Sequence, residues 1–462
     1  MGVISYALQS RGREGILIVI IGAGPAGLAA SYFADAEHLI FEQEAEIGGL
    51  CRSFELGGCI FDLGGHAFFT RHADILSLFE SKVTGGLFAQ PRQAFVHSHG
   101  RWLPYPFQAN LHGLPSTVVA DCLEGLIEAA SQPSRRPDNL SDWIDASFGK
   151  GIATHFLRPY NEKVWAYPLD RIHAHWVDER IVRSDVRGII EGALGPRPFR
   201  AFPNATVRYP HFGGYANIYQ AFAPKPHLLG RGRVMKVDVT SRTLTLESGE
   251  SVGWSAIIST MPLDVLTKAT VGATNQMRRA ADTLTWNGLH IASFAVESMP
   301  STDRQRVYCA DPALPFHKIV LNSNSSPFLR AKPRFGIQAE IAFSAHKPVS
   351  TDGLLETCWS GFETIGLTSS SARIAAADLR TLDRAYPVLM REASGAPKYL
   401  TEALAAHGIF CAGRFGTWSY INSDEAFVQG REAMRRAEAF AASRSSVSGR
   451  ARRRSRAAQI GA

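Results

Sequence analysis

The chain has little cysteine, six residues in 462, and no two of them form a CxxC pair or stand at a His–Cys ligand spacing. A disulfide framework and a zinc site are therefore not expected; the reading is free thiols, a reducing, cytoplasmic setting and no structural metal. Glycine (41) and proline (24) lie scattered without a period, which excludes collagen-like and coiled-coil architectures. An N-terminal secretory pattern is missing too. The most apolar window, Gly15 to Ala34, approaches the length of a membrane span but is broken by Gly22-Ala-Gly-Pro-Ala-Gly27. That break excludes a spanning helix and predicts a strand followed by a helix. Acidic residues are absent after Glu438, where six arginines stand alone (Arg444, Arg450, Arg452, Arg453, Arg454, Arg456).

That last absence accounts for most of the formal net charge of +7. Without its tail the chain is close to neutral, so a basic pI does not by itself point to a polyanionic partner. Residues 443–462 are expected to be a disordered, solvated end, with an arginine tether to RNA or a membrane as the alternative. No nucleic acid partner and no membrane span are expected. What is present is ample apolar material: 45% hydrophobic residues against 20% charged support a large core and two or three domains.

Ile16-Leu-Ile-Val-Ile-Ile21 is a β-branched-rich run of the kind buried on both faces of a parallel sheet. The glycine turn, the helix beginning near Leu28 and the strand Leu39-Ile-Phe41 complete a βαβ unit. Gly22, Gly24 and Gly27 allow a tight turn and close approach of a pyrophosphate to a helix N-terminus. Glu42, ending the second strand, is placed to accept hydrogen bonds from a ribose diol. Helices are predicted over 116–131, capped by Ser116 with an apolar stripe of Val119, Leu123, Leu126 and Ala130, and over about 141–148, ended by Gly149. Strands are predicted at 234–239, 243–247, 256–260, near 290–297 and 335–345, and at 408–412, before a helix from about 425 to 442.

Two diglycines follow the first unit, in Ile47-Gly-Gly-Leu-Cys-Arg-Ser53 and Phe61-Asp-Leu-Gly-Gly-His-Ala-Phe68. They put backbone where a flat ring system could pass. The arrangement resembles the flavoprotein superfamily of amine oxidases, protoporphyrinogen oxidase and UDP-galactopyranose mutase. Within it, Trp102-Leu-Pro-Tyr-Pro-Phe-Gln108, Arg158-Pro-Tyr-Asn-Glu-Lys-Val-Trp-Ala166, Pro203-Asn-Ala-Thr-Val-Arg-Tyr-Pro210 and Gly413-Arg-Phe-Gly-Thr-Trp-Ser-Tyr420 look like UDP-galactopyranose mutase, in particular its eukaryotic-type branch.

The resemblance implies an α/β fold: an FAD-binding Rossmann-like βαβ domain with an inserted helical domain and an antiparallel-sheet substrate domain. The expected division is an N-terminal extension (1–14), the FAD-binding part (15–100, continued near 228–265 and 405–442), a helical domain (101–200), the antiparallel domain (201–227 and 266–404) and the tail (443–462). It also implies FAD, active when reduced, with NADPH as reductant. The activity implied is isomerisation of UDP-galactopyranose and UDP-galactofuranose through a bond between the reduced flavin N5 and the anomeric carbon, with no net redox change.

The site residues are carried over in the same way. Gly22, Gly24, Gly27, Glu42, Gly49, Gly65, His66, Arg92 and Arg414 would bind cofactors, Arg92 on the NADPH side and Arg414 beside the flavin. Tyr105 and Phe107 would stack on the base, with Gln108, Asn161 and Trp165 holding uracil and ribose. Arg180, Tyr308, Tyr386 and Tyr420 would meet the diphosphate, and Asn422 aligns if two residues are missing after Tyr420. His66, Arg180, Asn204 and Lys318 would serve the chemistry. The chain departs from the pattern at Lys318, where the family has a second diphosphate arginine, at Ala94 in place of a serine, and in the thinned run Gly213-Gly214-Tyr-Ala-Asn217. Three other readings stay open: a mutase for another nucleotide-sugar, an FAD oxidase or desaturase acting on a small amine or ring compound, and a nucleotide-binding scaffold with an arginine-rich tether.

Overall fold

The computed structural model describes residues 16–132, 137–177, 181, 185–195 and 205–460, with side chains as far as 444. A five-stranded parallel sheet runs Ile409–Cys411, Ala256–Ser259, Ile18–Ile21, His38–Glu42, Leu229–Arg231 in spatial order. Ile18–Ile21 is buried at every position, as a central strand covered on both faces must be. The helix Pro25–Tyr32 covers one face and packs against the long helix Ser423–Ile460. The predicted membrane-length window is thus a strand and a helix. No helix among the described residues is long and apolar enough to cross a membrane.

A second, seven-stranded sheet has the order Arg373–Val388, Thr285–Glu297, Phe335–Phe343, Lys318–Val320, Arg306–Cys309, Ala94–Ser98, Arg101–Pro104. Its pairs are antiparallel except for the parallel contact of Arg306–Cys309 with Ala94–Ser98. The hairpin 94–104 therefore joins this sheet, so the expected boundary at 100 falls inside a β-hairpin. A smaller sheet gathers Val234–Asp238, Thr243–Leu246, Ser251–Gly253 and Thr270–Val271. The α/β architecture with an added antiparallel sheet is as the resemblance implies.

A helical layer comprises Ser116–Ser131, Leu140–Ile152, a π-turn over Ala153–Leu157, and Arg158–Trp165, and its last helix packs against the strand Phe335–Phe343 of the seven-stranded sheet. The first helix has the predicted span but not the predicted cap. Pro115 occupies the cap position and no side chain bonds there. Its buried face is Val118, Cys122, Gly125 and Leu126, one residue round from the predicted stripe, because the next helix crosses at Gly125. A Cβ on Gly151 would lie 2.0 Å from the Asp121 carbonyl oxygen, and one on Gly125 would lie 2.8 Å from the Gly151 nitrogen. Gly151→Val is expected to lower stability by about 2 kcal/mol or more, since backbone, unlike a side-chain tip, cannot swing aside. A thermal midpoint equal to the parent's would contradict this crossing.

The final helix runs on through the segment expected to be disordered, to Ile460. Its alanines and arginines are strong helix formers, and propensity prevails where composition alone suggested a coil. All six cysteines are free.

Candidate functional site

The carboxyl ends of the parallel strands open into a cavity of about 1590 Å³ that continues between the helical layer and the seven-stranded sheet. Open α/β sheets bind ligands at this edge. Gly22 sits at φ +94°, and a Cβ on it would meet Thr260 Oγ1 at 2.1 Å. A Cβ on Gly27 would stand 1.8 Å from the Gly22 oxygen, so this glycine sets the helix against the turn and does not itself face the cavity. Gly24 faces Gly49 backbone to backbone, and the Gly48 N–H donates to the Ala23 carbonyl at 2.8 Å. Glu42 is buried and accepts from the backbone N–H groups of Ala23 (2.7 Å) and Glu44 (2.9 Å). A carboxylate has about four acceptor sites, so capacity is left for ribose hydroxyls. Two apposed glycine loops, a helix N-terminus and this acid fit the adenosine diphosphate portion of FAD.

Further along the cavity stand His66, Arg92, Arg306, Lys318 and Arg414. His66 stacks on Tyr215, centroids 4.7 Å apart and planes at 17°. Burial, then Lys318 and Arg414, hold its pKa down to about 3, so the imidazole is neutral at physiological pH, and Nδ1 has no partner. Tyr215 is fixed from behind. The buried Asp62 accepts from the Tyr215 N–H (2.9 Å), the Tyr209 hydroxyl (2.8 Å) and the Ser53 hydroxyl (2.7 Å). Burial pushes Asp62 up to about 6 against those donors.

Glu340, a polar residue on a central strand, makes an ion pair with Lys318 across the ladder (2.7 Å) and accepts the Gly65 N–H at 2.6 Å. Burial opposes its charge, yet Lys318 and His317 hold the carboxyl well below the usual range. Arg92 donates to the Tyr308 hydroxyl at 2.7 Å and lies over the Tyr105 ring. Burial alone would raise Tyr308; Arg92, Arg306 and Lys318 together pull it below its ordinary value. Arg414 donates to the carbonyls of Ile421 and Ala385 and lies over Tyr386.

The far wall is aromatic. Tyr105, Gln108, Asn161, Trp165, Tyr308, Tyr386, Tyr420 and Asn422 all line the cavity. Asn161 uses its amide within its own helix, donating to the Leu157 carbonyl and accepting from Trp165 Nε1. Phe107 differs: it is fully buried and stacks on Phe156 (4.7 Å, 10°), which together with Tyr160 lines the cavity instead. Two residues after Tyr105 on a turn, Phe107 points into the helical core. Arg180 and Asn204 lie outside the described residues. Sequence reading missed Phe156, Tyr160, Trp176, Arg306 and Glu340. The spacing 156, 160 beside 161, 165 on one helix, and the alternation of Arg306 with Tyr308 on one strand face, were signals that could have found three of the five.

Fold and site together define an FAD-type dinucleotide-binding protein whose cofactor crevice opens into a second, aromatic and cationic pocket. Residues 20–81 match the family described as an NAD(P)-binding Rossmann-like domain. The structure is similar to that of a reduced UDP-galactopyranose mutase, with 29% identity, 91% of this chain and 94% of that chain covered, and a TM-score of 0.85. A protein provisionally described as a protoporphyrinogen oxidase, from Exiguobacterium sp. 255-15, shares the fold at 14% identity (91% and 98% covered, TM-score 0.70). So does a CLA-producing fatty acid isomerase from P. acnes, also at 14% (91% and 97%, TM-score 0.63). The mutase resemblance drawn from the motifs thus extends over nearly the full length. On this likeness the chain is an enzyme of the flavin-dependent isomerase kind, and FAD is the cofactor that fits.

Proposed function

We propose that the chain interconverts the pyranose and furanose forms of a UDP-sugar, UDP-galactose by default, without net redox change. The observation that carries this reading is the continuity of the cavity: at about 1590 Å³ it exceeds the roughly 300–1,000 Å³ of a one-ligand pocket and joins a dinucleotide cradle to an aromatic, cationic wall. Bound FAD, reduced by NADPH, would supply the electron-rich centre that takes up the sugar's anomeric carbon.

The protein's own residues orient and stabilise. Tyr105, Phe156 and Tyr160 offer ring faces for a base, and Gln108 offers an amide. The phenols of Tyr308, Tyr386 and Tyr420 donate to a diphosphate, whose departure and return need fixed donors in a dry site. His66, neutral and lining the cavity, would hold a sugar hydroxyl in place rather than take its proton, since a pKa of about 3 makes the imidazole a weak base. Arg180, Asn204 and Asn422 are proposed for the diphosphate and sugar by their motifs, and Arg92 for the reductant.

Purified protein reduced with dithionite or NADPH and given UDP-galactofuranose is expected to form UDP-galactopyranose catalytically, and the oxidised protein is expected to be inert. Oxygen uptake without isomerisation would replace this reading with an oxidase.

A further inference from the structure

The residue expected to supply the second diphosphate cation, Lys318, is already engaged. Its ammonium is 2.7 Å from Glu340 Oε2, and the other oxygen of that buried carboxylate takes the Gly65 N–H at 2.6 Å, next to His66. Lys318 therefore secures, through Glu340, the loop that carries His66.

One strand away is a guanidinium in the opposite condition. Arg306 is buried at 7% exposure, lines the cavity, and has five N–H donors, one of which goes to the His66 carbonyl oxygen. Among the described residues no carboxylate forms an ion pair with it. Glu340 is held by Lys318 and Gly65, and Asp62 by Ser53, Tyr209 and Tyr215. Arg306 and Tyr308, two residues apart on one strand, share a face, and the Tyr308 hydroxyl is where a diphosphate contact is already expected. A buried, unpaired cation in a cavity wall is costly unless an anion meets it, and its planar fork suits a phosphate oxygen pair better than an ammonium does.

We propose that Arg306, and not Lys318, supplies the cation that meets the diphosphate of the nucleotide ligand, Lys318 being a positioning residue that acts through Glu340. This assignment rests on the function proposed above for the class of ligand. Geometry within this chain carries the choice of residue.

The test is the preference for UDP over uridine, measured by quenching of tryptophan fluorescence in the FAD-loaded protein, with inorganic pyrophosphate as a second probe. Arg306→Met is expected to lower UDP affinity about tenfold or more while leaving uridine affinity unchanged, the loss of one charge-assisted contact. Arg306→Lys is expected to recover part of it. Lys318→Gln is expected to keep the UDP-over-uridine preference within about threefold of the parent while slowing turnover. Should Lys318→Gln fail to fold, the paired replacement Lys318→Leu with Glu340→Met removes both charges together and leaves the same preference to be read. Loss of the preference in the Lys318 variants, with Arg306→Met like the parent, would overturn the assignment. If the parent binds pyrophosphate through Arg306 but not UDP, the nucleotide reading falls and the Arg306 assignment stands. Binding of neither probe overturns both.

Discussion

Gly27→Val is expected to yield protein without visible flavin absorbance and with a much lower thermal midpoint. A Cβ at this position would stand 1.8 Å from the Gly22 carbonyl oxygen and 2.9 Å from the Gly22 carbon, both backbone atoms of the turn that must cradle the pyrophosphate. Relief requires the helix Pro25–Tyr32 to move off the strand Ile18–Ile21, in a layer where Ile18, Ile20, Leu28 and Ala29 are fully buried. Overpacking of this kind costs about 1–3 kcal/mol where side chains can adjust, and more where backbone must shift. Gly24→Ala is the informative contrast. Its Cβ would meet nothing nearer than Gly49 Cα at 3.7 Å, an ordinary contact, so folding should survive. The added methyl instead occupies the space between the two glycine loops, where the ligand backbone has to approach. The expected outcome is a normal melting curve for the protein without FAD, with FAD affinity lowered about tenfold or more. Full FAD content in both variants would remove the cofactor from this crevice.

Much of this site was legible because its logic is local. The strand, the three glycines and Glu42 fall within one βαβ unit, and each constrains the next few residues. The cavity-lining Tyr105, Gln108, Asn161 and Trp165 stand in compact motifs whose spacing survives in the chain. What was not legible depends on partners distant in sequence. Glu340 is defined by a bond to Gly65, 275 residues away, and nothing near Ile341 announces it. Lys318 looked like a free cation in Pro315-Phe-His-Lys318 because the ladder that sets it opposite Glu340 forms only in the folded sheet. Phe107 was assigned to the ligand because it neighbours Tyr105, yet a half-turn of chain separates cavity from core. Arg306 reads as an ordinary strand residue until its neighbours' carboxylates are seen to be taken. Long-range pairing thus decides which of several similar side chains keeps its charge free.

That principle gives the last prediction, in which two buried carboxylates respond to the same neutralisation with opposite signs. Asp62 has its folded pKa raised to about 6 by burial, above its ordinary 3.8. The folded state then binds the proton more tightly than the unfolded one, so this group's contribution to stability grows as pH falls from above 6 toward 4. At pH 8 the ionised group costs about 3 kcal/mol, since each tenfold difference in proton affinity between the two states is worth about 1.4 kcal/mol. Asp62→Asn removes that cost while keeping an oxygen for Ser53 and the Tyr215 N–H and turning an amide toward the Tyr209 hydroxyl. It is expected to match or exceed the parent at pH 8, and to lose that advantage near pH 4.

Glu340 is the reverse case. Burial alone would raise its pKa, but Lys318 and His317 hold it well below the ordinary carboxylate range. Its stabilising contribution is complete above about pH 4.5, the ordinary carboxyl value, and is lost as pH falls further. Glu340→Gln leaves the Lys318 ammonium, 13% exposed, without its counter-charge, a situation that typically costs about 3–5 kcal/mol. It is expected to melt far below the parent at pH 8, and the gap is expected to narrow only below pH 4.5. Thermal melting of FAD-loaded parent, Asp62→Asn and Glu340→Gln from pH 4 to 8 reads both signs at once. A Glu340→Gln curve lying on the parent's at pH 8 would mean that Lys318 does not depend on Glu340, and its ammonium would be free for the ligand after all.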